Sequence, residues 1–436
     1  MHKIIFALGF ALFLSPVALI AEGAAEEYQA DDEYEYDYDD SGEYDEYDGE
    51  EYDDWDYGDY DNGDYDDYEE DPVFEIIRSG SLDEIRAAMG EKVDSSGNTL
   101  LMTACASDRE KAVLEYLLSV GSSIEAKNFA GETALMFACQ NGTSAETVAF
   151  LLQRGASLAS RDEDGRTVLM YAAGNEDLSV LSWLLKERLN DVKGSIGTVD
   201  EYRRTVLSYL CGNASADPAL IKRLIALGSD VNAADSDGTS PLAFAVSSDL
   251  PLAAIQALLS SGAKATVRDE YGTTPLMYAA SSNGDPEVTK LLLASGAKVN
   301  DLDDYGYSAL MFVFYNENPD ALYPVLRKAG ADPSVRGNDA VTPLMLAAQY
   351  GRLEIAKALI ADGAKVNAVD DLGKTALIYA CENNGDDSLI AALLDAGADI
   401  LPIDETGMSA RDYAADNWNL EGSEQLDRLE SPLTSL

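Results

Sequence analysis

The strongest constraint on the fold is a short motif that recurs at an almost constant interval along the chain. The motif is Gly-x-Thr/Ser-x-Leu, although two copies lack the glycine and one lacks the leucine. Its Thr or Ser anchors are Thr99, Thr133, Thr167, Thr205, Ser240, Thr274, Ser308, Thr342, Thr375 and Ser409, with gaps of 34, 34, 38, 35, 34, 34, 34, 33 and 34 residues. A period this regular is typical of a solenoid, in which each unit packs only against its neighbours. We therefore predict one repeat array rather than several separate globular domains.

Each unit has the pattern helix, turn, helix and projecting hairpin, which the unit beginning at Gly272 illustrates well. Thr274 followed by Pro275 fits a helix N-cap with proline at the first helical position. The apolar stretch from Leu291 to Leu293 predicts a second helix, which a Ser-Gly-Ala sequence ends. The Val-Asn-x-x-Asp-x-x-Gly sequence that follows is typical of a turn leading into the next unit.

This pattern resembles the ankyrin repeat family, whose hallmark is Thr-Pro-Leu-His-x-Ala followed by Leu-Leu-x-x-Gly-Ala-Asp-Val-Asn. The resemblance covers residues 72–430 and leaves 431–436 as a C-terminal tail. It implies an all-α, ankyrin-type helical repeat solenoid with short projecting β-hairpin loops, about ten repeats and a cap at each end. The one 38-residue gap carries extra residues within 187–204, where we expect a longer loop or a lengthened second helix.

One departure from the family pattern is systematic. Methionine stands where the family has histidine, at positions 102, 136, 170, 277, 311 and 345. We expect the loss of histidine to weaken hydrogen bonding between neighbouring loops. The polarisable methionine side chain is expected to fill the space by packing.

The N-terminal segment 1–25 is expected to be a signal peptide. A short polar start precedes an apolar run over 4–20, and small residues follow it. The alternative is a retained membrane anchor, but the uninterrupted apolar part is shorter than the ~20 residues that a spanning helix needs. We therefore expect an exported protein, periplasmic, on the cell surface or extracellular, with no membrane insertion after cleavage.

Residues 26–71 form an acidic leader with 26 Asp or Glu, 11 Tyr and no Lys or Arg. The leader contains no Val, Ile or Leu, so we predict that it is disordered. Three roles are open for it. It is a solvated spacer, a polyanionic and aromatic bait for a basic partner, or a weak site for divalent cations.

Composition excludes several classes of function. The net charge of −50 and the pI near 4.1 argue against a nucleic-acid partner, which would need a basic face. His2 is the only histidine and lies in the predicted signal peptide, so the mature chain would have no histidine for acid–base catalysis or metal binding. We predict no enzyme activity, no cofactor and no metal site.

The four cysteines are compatible with two disulfides or with free thiols. Cys105, Cys139, Cys211 and Cys381 each lie six residues after an anchor, at a small-residue position of the first helix. Equivalent positions in stacked helices are ~8–10 Å apart, beyond the ~7 Å reach of a disulfide. We predict buried free thiols.

Aromatic residues recur four residues after the anchors, at Phe137, Tyr171, Tyr209, Phe244, Tyr278, Phe312 and Tyr379. A ligand-stacking ladder is one interpretation of this stripe. Because the residues share one register of the first helix, packing against the core is the interpretation that we favour.

The family resemblance implies a partner site on the concave face, built from hairpin tips and the ends of the first helices. The corresponding tip residues here are Phe129, Tyr202, Tyr271 and Tyr305. The helix-end residues are Gln140, Asn141, Asn175, Asn213, Ser282, Tyr315, Asn316, Gln349, Tyr350 and Asn383. We expect a monomer that binds another protein as a non-enzymatic scaffold, and a basic protein is one option for that partner. A secreted effector or surface adhesin acting on a host protein is the alternative.

Overall fold

Every repeat in the computed structural model begins with a short helix that directly follows an anchor residue. The structure describes residues 71–88, 93–383, 386–417, 420 and 423–429. The predicted signal peptide, the leader up to residue 70 and the tail 431–436 lie outside these residues. The first helices are Leu100–Ala106, Ala134–Gln140, Val168–Gly174, Val206–Cys211, Pro241–Ser247, Pro275–Ser281, Ala309–Phe312, Pro343–Gln349, Ala376–Asn383 and Ala410–Asp416.

A second helix completes each repeat. These helices are Lys111–Ser119, Ala145–Gln153, Ser179–Glu187, Pro218–Ala226, Leu252–Ser260, Pro286–Ala294, Pro319–Lys328, Leu353–Ala361, Asp387–Asp395 and Glu424–Arg428. They end as the sequence predicts, for example at Gly296, whose φ of 97° is easily reached only by glycine. The N–H of Ala297 then donates to the carbonyl of Leu292 at 3.0 Å and completes the helix end.

Additional elements lie at the start of the array and in the irregular repeat. A pair of helices, Pro72–Ser79 and Leu82–Ala88, precedes the first anchor. The long gap between anchors contains a short extra helix, Leu189–Val192, and a 3₁₀ turn, Lys193–Ser195. Val192 and Ile196 of this insertion are buried, so the extra residues pack onto the array.

The prediction of an all-α repeat solenoid is confirmed. The described residues contain no sheet, and the hairpins contribute isolated antiparallel bridges such as Leu302 with Ser308. Buried apolar side chains form one continuous cluster from Val73 to Leu429. No helix in the described ranges is both long enough and apolar enough to cross a membrane.

The methionines that replace the family's histidine have a structural role of their own. Their side chains are buried, as the packing prediction requires. In addition, the sulfur of Met102 accepts the backbone N–H of Thr99 at 3.3 Å, and Met277 accepts that of Thr274 at 3.4 Å. Thr274 Oγ1 in return accepts the N–H of Met277 at 3.3 Å. The thioether therefore takes the part of the Glu or Gln in a capping box and satisfies an N–H at the helix start.

The prediction of buried free thiols is confirmed. All four cysteines are unpaired and buried. Burial raises the pKa of the Cys105, Cys139 and Cys381 thiols to about 12, so these thiols stay protonated at neutral pH.

We expect the folded protein to react slowly with a small alkylating reagent. In the denatured protein, all four thiols should become reactive. The reason is that the thiolate, the reactive form, is both shielded and disfavoured by burial. Thiol counting by mass spectrometry before and after denaturation measures this. Rapid labelling of the native protein would contradict it.

The seventh repeat departs from the others in its first helix. Val313 and Phe314 occupy positions where most other repeats have small residues such as Ala172 and Ala173, and both large side chains are buried. The α-helix stops at Phe312 and continues as a 3₁₀ turn, Val313–Tyr315. The larger buried side chains therefore coincide with a tighter turn in this repeat.

Candidate functional site

The hairpins form a row in which each tip is hydrogen-bonded to the tip before it. In repeat seven, the backbone N–H of Asp304 donates to the carbonyl of Tyr271 at 2.9 Å, and Asn338 then donates to Tyr305 at 2.8 Å. The other links are Phe129 to Ser96, Glu163 to Ala130, Glu201 to Asp164, Ser236 to Tyr202, Glu270 to Asp237, Asp371 to Asp339 and Glu405 to Leu372. One backbone hydrogen bond for each neighbouring pair holds the tips in a common register.

Most hairpin turns are closed by an aspartate at their first position, whereas Asn128 stands there in repeat two and Gly337 in repeat eight. In repeat seven, Asp303 Oδ1 accepts the N–H of Tyr305 at 3.0 Å and of Tyr307 at 2.7 Å. We call these residues hairpin aspartates: Asp94, Asp162, Asp200, Asp235, Asp269, Asp303, Asp370 and Asp404. Burial raises the pKa of Asp235, Asp269 and Asp303.

The second oxygen of most hairpin aspartates accepts a tyrosine hydroxyl from the first helix, nine residues later. The pairs are Tyr171 with Asp162, Tyr209 with Asp200, Tyr278 with Asp269, Tyr379 with Asp370 and Tyr413 with Asp404, at 2.6 to 2.8 Å. We call the residues at this position, including Phe244 and Phe312, ring residues. Their rings pack against the core, which supports the packing interpretation of the aromatic stripe. The hydroxyls add a link from helix to hairpin that the sequence analysis did not anticipate.

Among the described residues, three cations lie over ring residues. The Arg166 guanidinium is 5.2 Å from the centre of the Tyr171 ring, and the Lys374 ammonium is 5.0 Å from that of Tyr413. Arg204 lies 5.5 Å from the Phe244 ring. The ring residues therefore provide faces that bind cations.

The tips of the hairpins combine exposed aromatic rings with exposed acids. Phe129, Tyr202, Tyr271 and Tyr305 are 71%, 50%, 48% and 60% exposed, as expected for tip residues. An acidic row runs through the tips and comprises Glu163, Glu201, Glu270, Asp304, Asp371 and Glu405. Among the described residues, Asp304 is the one member within 4.0 Å of a cation, Arg268 at 3.9 Å. A hydrogen bond to Glu270 raises the pKa of Tyr271, and nearby Asp237 adds to this effect.

Two of the predicted helix-end residues belong to a chain of aromatic rings. Tyr315 and Tyr350 lie edge to face with ring centres 6.0 Å apart. Phe312 is 6.3 Å from Tyr315 and 6.3 Å from Tyr307, again in edge-to-face geometry. Tyr315 is exposed and Tyr350 is half-buried, so repeats seven and eight present an aromatic surface beside the hairpin tips.

The remaining helix-end residues differ in accessibility. Asn141 and Asn383 are exposed, and Gln140, Asn175, Ser282 and Gln349 are half-buried. The structure corrects the prediction for Asn213 and Asn316, which are buried and out of reach of a partner. The Asn213 amide donates to the carbonyl of Ala173 in the preceding repeat at 3.0 Å. Asn316 closes its own turn by accepting the N–H of Asn318 at 2.8 Å.

Asparagines in other repeats link successive repeats in the same way as Asn213. The side chain of Asn175 donates to the carbonyl of Gln140, and that of Asn417 donates to the carbonyl of Cys381 at 2.8 Å. These asparagines join successive repeats at the turn between the two helices. Within the described residues, no group of three or more His, Cys, Asp or Glu is arranged to hold a metal ion.

The geometry defines a class of protein: a helical repeat scaffold that displays a row of aligned hairpin tips. Comparison with known proteins identifies the family. The sequence profile described as "Ankyrin repeats (3 copies)" matches residues 113–195, 249–336 and 310–404, which together are more than half of the chain. The chain belongs to the ankyrin repeat family, which acts through protein–protein interaction and is typically non-enzymatic.

A short part of the chain is also similar to curated proteins. It is 42% identical over 66 residues to neurogenic locus notch homolog protein 1 of Mus musculus, and 41% identical over 66 residues to that of Homo sapiens. The matched segment is 15% of this chain and 3% of those relatives. The chain therefore corresponds to only a small part of their length.

Proposed function

We propose that this protein is an exported, monomeric scaffold that binds a protein partner along the concave side of the array. The proposed binding surface comprises the hairpin tips and the exposed ends of the first helices. The observation that carries the proposal is the row of tips, held in register by backbone hydrogen bonds and bearing exposed tyrosines. Aromatic residues are over-represented in interface hot spots, and a rigid surface binds without a large ordering cost.

The partner that suits this surface is basic. Among the described residues, Asp304 is the one member of the acidic row with a cation within 4.0 Å, namely Arg268 at 3.9 Å. Several cations of the hairpins are instead bound to the backbone: Lys127 donates to the carbonyl of Arg161 at 2.6 Å, and Arg336 to that of Val369 at 2.6 Å. The tips therefore present a negative potential that would steer a positively charged protein.

A photoreactive amino acid placed at single positions tests this proposal in the full-length chain. We expect a photo-cross-linker at position 271 or 305 to capture one defined protein from the exported fraction. The same cross-linker at position 290 should not, because Lys290 lies on a second helix and pairs with Glu287 at 2.6 Å. Equal capture from all three positions would argue against a hairpin-side partner site. Cell fractionation tests the proposed export, and recovery in the cytoplasm would overturn it.

A further inference from the structure

The hairpins of repeats nine and ten expose a group of large aliphatic side chains. Its members are Val369, Leu372, Leu401 and Ile403, which are 41%, 46%, 61% and 59% exposed. We call this group the C-terminal aliphatic patch. A single exposed apolar side chain is common on a protein surface. Several of them on two adjacent hairpins are typical of a surface that contacts another molecule.

The two hairpins that carry the patch are fixed against each other through their backbones. The N–H of Glu405 donates to the carbonyl of Leu372 at 2.9 Å. Gly373 has a φ of 80°, and a Cβ atom at this position would lie 3.0 Å from the Cα atom of Asp404. Glycine therefore allows the close approach of the two hairpins. Because the hairpins are already in place, a partner binds the patch with little ordering cost.

The direction of the Val369 side chain follows from the residues at the same position in other repeats. Val369 lies six residues before its anchor, as do Arg161 and Arg336. The Arg161 side chain donates to the carbonyl of Val199 in the next hairpin at 3.1 Å, and Arg336 donates to that of Val369 at 2.6 Å. A side chain at this position therefore lies toward the next hairpin of the row. For Val369, the corresponding residue of the next hairpin is Ile403, so the two aliphatic side chains belong to one surface.

Leu401 occupies a position that joins one repeat to the next elsewhere in the array. Eight residues before their anchors, Asn300 donates to the carbonyl of Gly330 and Asn367 to that of Gly397, both at 3.0 Å. Leu401 is the residue at this position in repeat ten, and its side chain cannot form such a hydrogen bond. A leucine that is more than half exposed gains nothing from contact with water alone.

Carboxylates surround the patch. Asp371 and Glu405 of the acidic row lie on the same two hairpins, and Asp399 Oδ1 accepts a backbone N–H beside the patch at 3.0 Å. In the part of the chain that the structure describes, none of these three carboxylates forms an ion pair. Lys374 of repeat nine pairs instead with Glu382 at 2.6 Å. The aliphatic surface therefore has a negatively charged rim.

We propose that the C-terminal aliphatic patch binds a segment of the partner protein in which aliphatic residues are flanked by lysine or arginine. This inference rests on the proposed function and adds an apolar contact to it. Leu372 lies three residues before its anchor, as Tyr271 and Tyr305 do, so the patch continues the row of tips. Burial of the aliphatic side chains would supply affinity, and the carboxylate rim would favour a basic flank over an acidic one.

Methyl-resolved NMR of the full-length protein, titrated with the peptide Gly-Lys-Leu-Val-Lys-Gly, tests the patch. We expect the methyl resonances of Leu372, Leu401 and Ile403 to shift and to saturate. Those of Val199 and Leu302, which are exposed on other hairpins, should not move. A peptide with glutamate in place of lysine, and one with serine in place of leucine and valine, should each bind at least about tenfold more weakly, because each lacks one of the two features.

Leu401→Asn combined with Ile403→Thr should weaken binding of the lysine peptide by at least about tenfold, because two aliphatic side chains are lost from the contact. Both residues are exposed, so circular dichroism should show an unchanged fold. The matched control is Val199→Thr combined with Leu302→Thr, which should keep the wild-type affinity. Equal binding of the peptide by the two double variants would overturn the patch, as would equal binding of the glutamate and lysine peptides.

The natural partner separates this inference from the proposed function. If the partner captured from position 271 or 305 binds the Leu401→Asn, Ile403→Thr variant as tightly as wild type, the scaffold function stands and the patch falls. If no partner is captured from those positions but the peptide binds as expected, the patch stands and the assignment of the concave side falls. Analytical ultracentrifugation addresses a second copy as the occupant. A wild-type dimer that this variant loses would assign the patch to self-association and overturn the inference.

Discussion

Replacing Tyr271 and Tyr305 together by alanine should weaken binding of the partner by at least about a hundredfold without affecting folding. Both side chains project from adjacent hairpin tips and are about half exposed, so their removal leaves no cavity. Hot-spot aromatic residues contribute ~2 kcal/mol or more each, and the loss of two gives a change of this size. Isothermal titration of the partner identified by cross-linking would measure the affinity, and circular dichroism would check the fold.

The control is the double change Glu287→Ala and Lys290→Ala on a second helix, where the two side chains pair with each other. It should leave the affinity unchanged. If this control variant lost binding while the double tyrosine variant kept the wild-type affinity, the binding face would be wrongly assigned. Raising the ionic strength should also slow association of a basic partner, because salt screens the charges of the acidic row.

Phe314→Ala should lower the free energy of unfolding by about 3–5 kcal/mol, the usual cost of removing a buried phenyl ring. Phe314 is 2% exposed in repeat seven, at a position where the other repeats have alanine or cysteine except for Val246 in repeat five. The neighbouring side chains therefore pack around the Phe314 ring, and they cannot fill the whole cavity that its removal creates. Because each repeat contacts only its neighbours, the weakened repeat should also split the unfolding transition into two.

Chemical denaturation followed by circular dichroism measures both effects. Phe129→Ala, which removes an exposed phenyl ring at a hairpin tip, is the matched control and should change stability little. A loss below about 1 kcal/mol for Phe314→Ala would mean that repeat seven relaxes to the small-residue packing of its neighbours.

The features that follow from the repeat period were predictable from sequence. The anchors, the helix pairs and the burial of the cysteines all depend on local patterns that recur at one register. Cys139 illustrates this, because the position six residues after an anchor is buried in every repeat except the last. The exposed tips Tyr271 and Tyr305 were also predicted, since a turn just before a glycine projects into solvent.

Features that depend on which side chains meet across repeats were not predictable in the same way. Asn213 looked like an exposed helix end, but its amide is buried against the repeat before it. The pairing of Tyr278 with Asp269 was also missed, although the nine-residue spacing recurs and was visible in the sequence. Polarity alone does not distinguish an asparagine that faces solvent from one that satisfies a buried carbonyl.

The tip-to-tip hydrogen bonds have a geometric consequence for any extended segment that lies along them. Packed helical repeats are spaced by ~8–10 Å, whereas an extended polypeptide advances ~3.3 Å per residue. Successive tips would therefore face every third residue of such a segment. A protein that binds in this manner would show a three-residue periodicity in its own sequence, imposed by the pitch of the array.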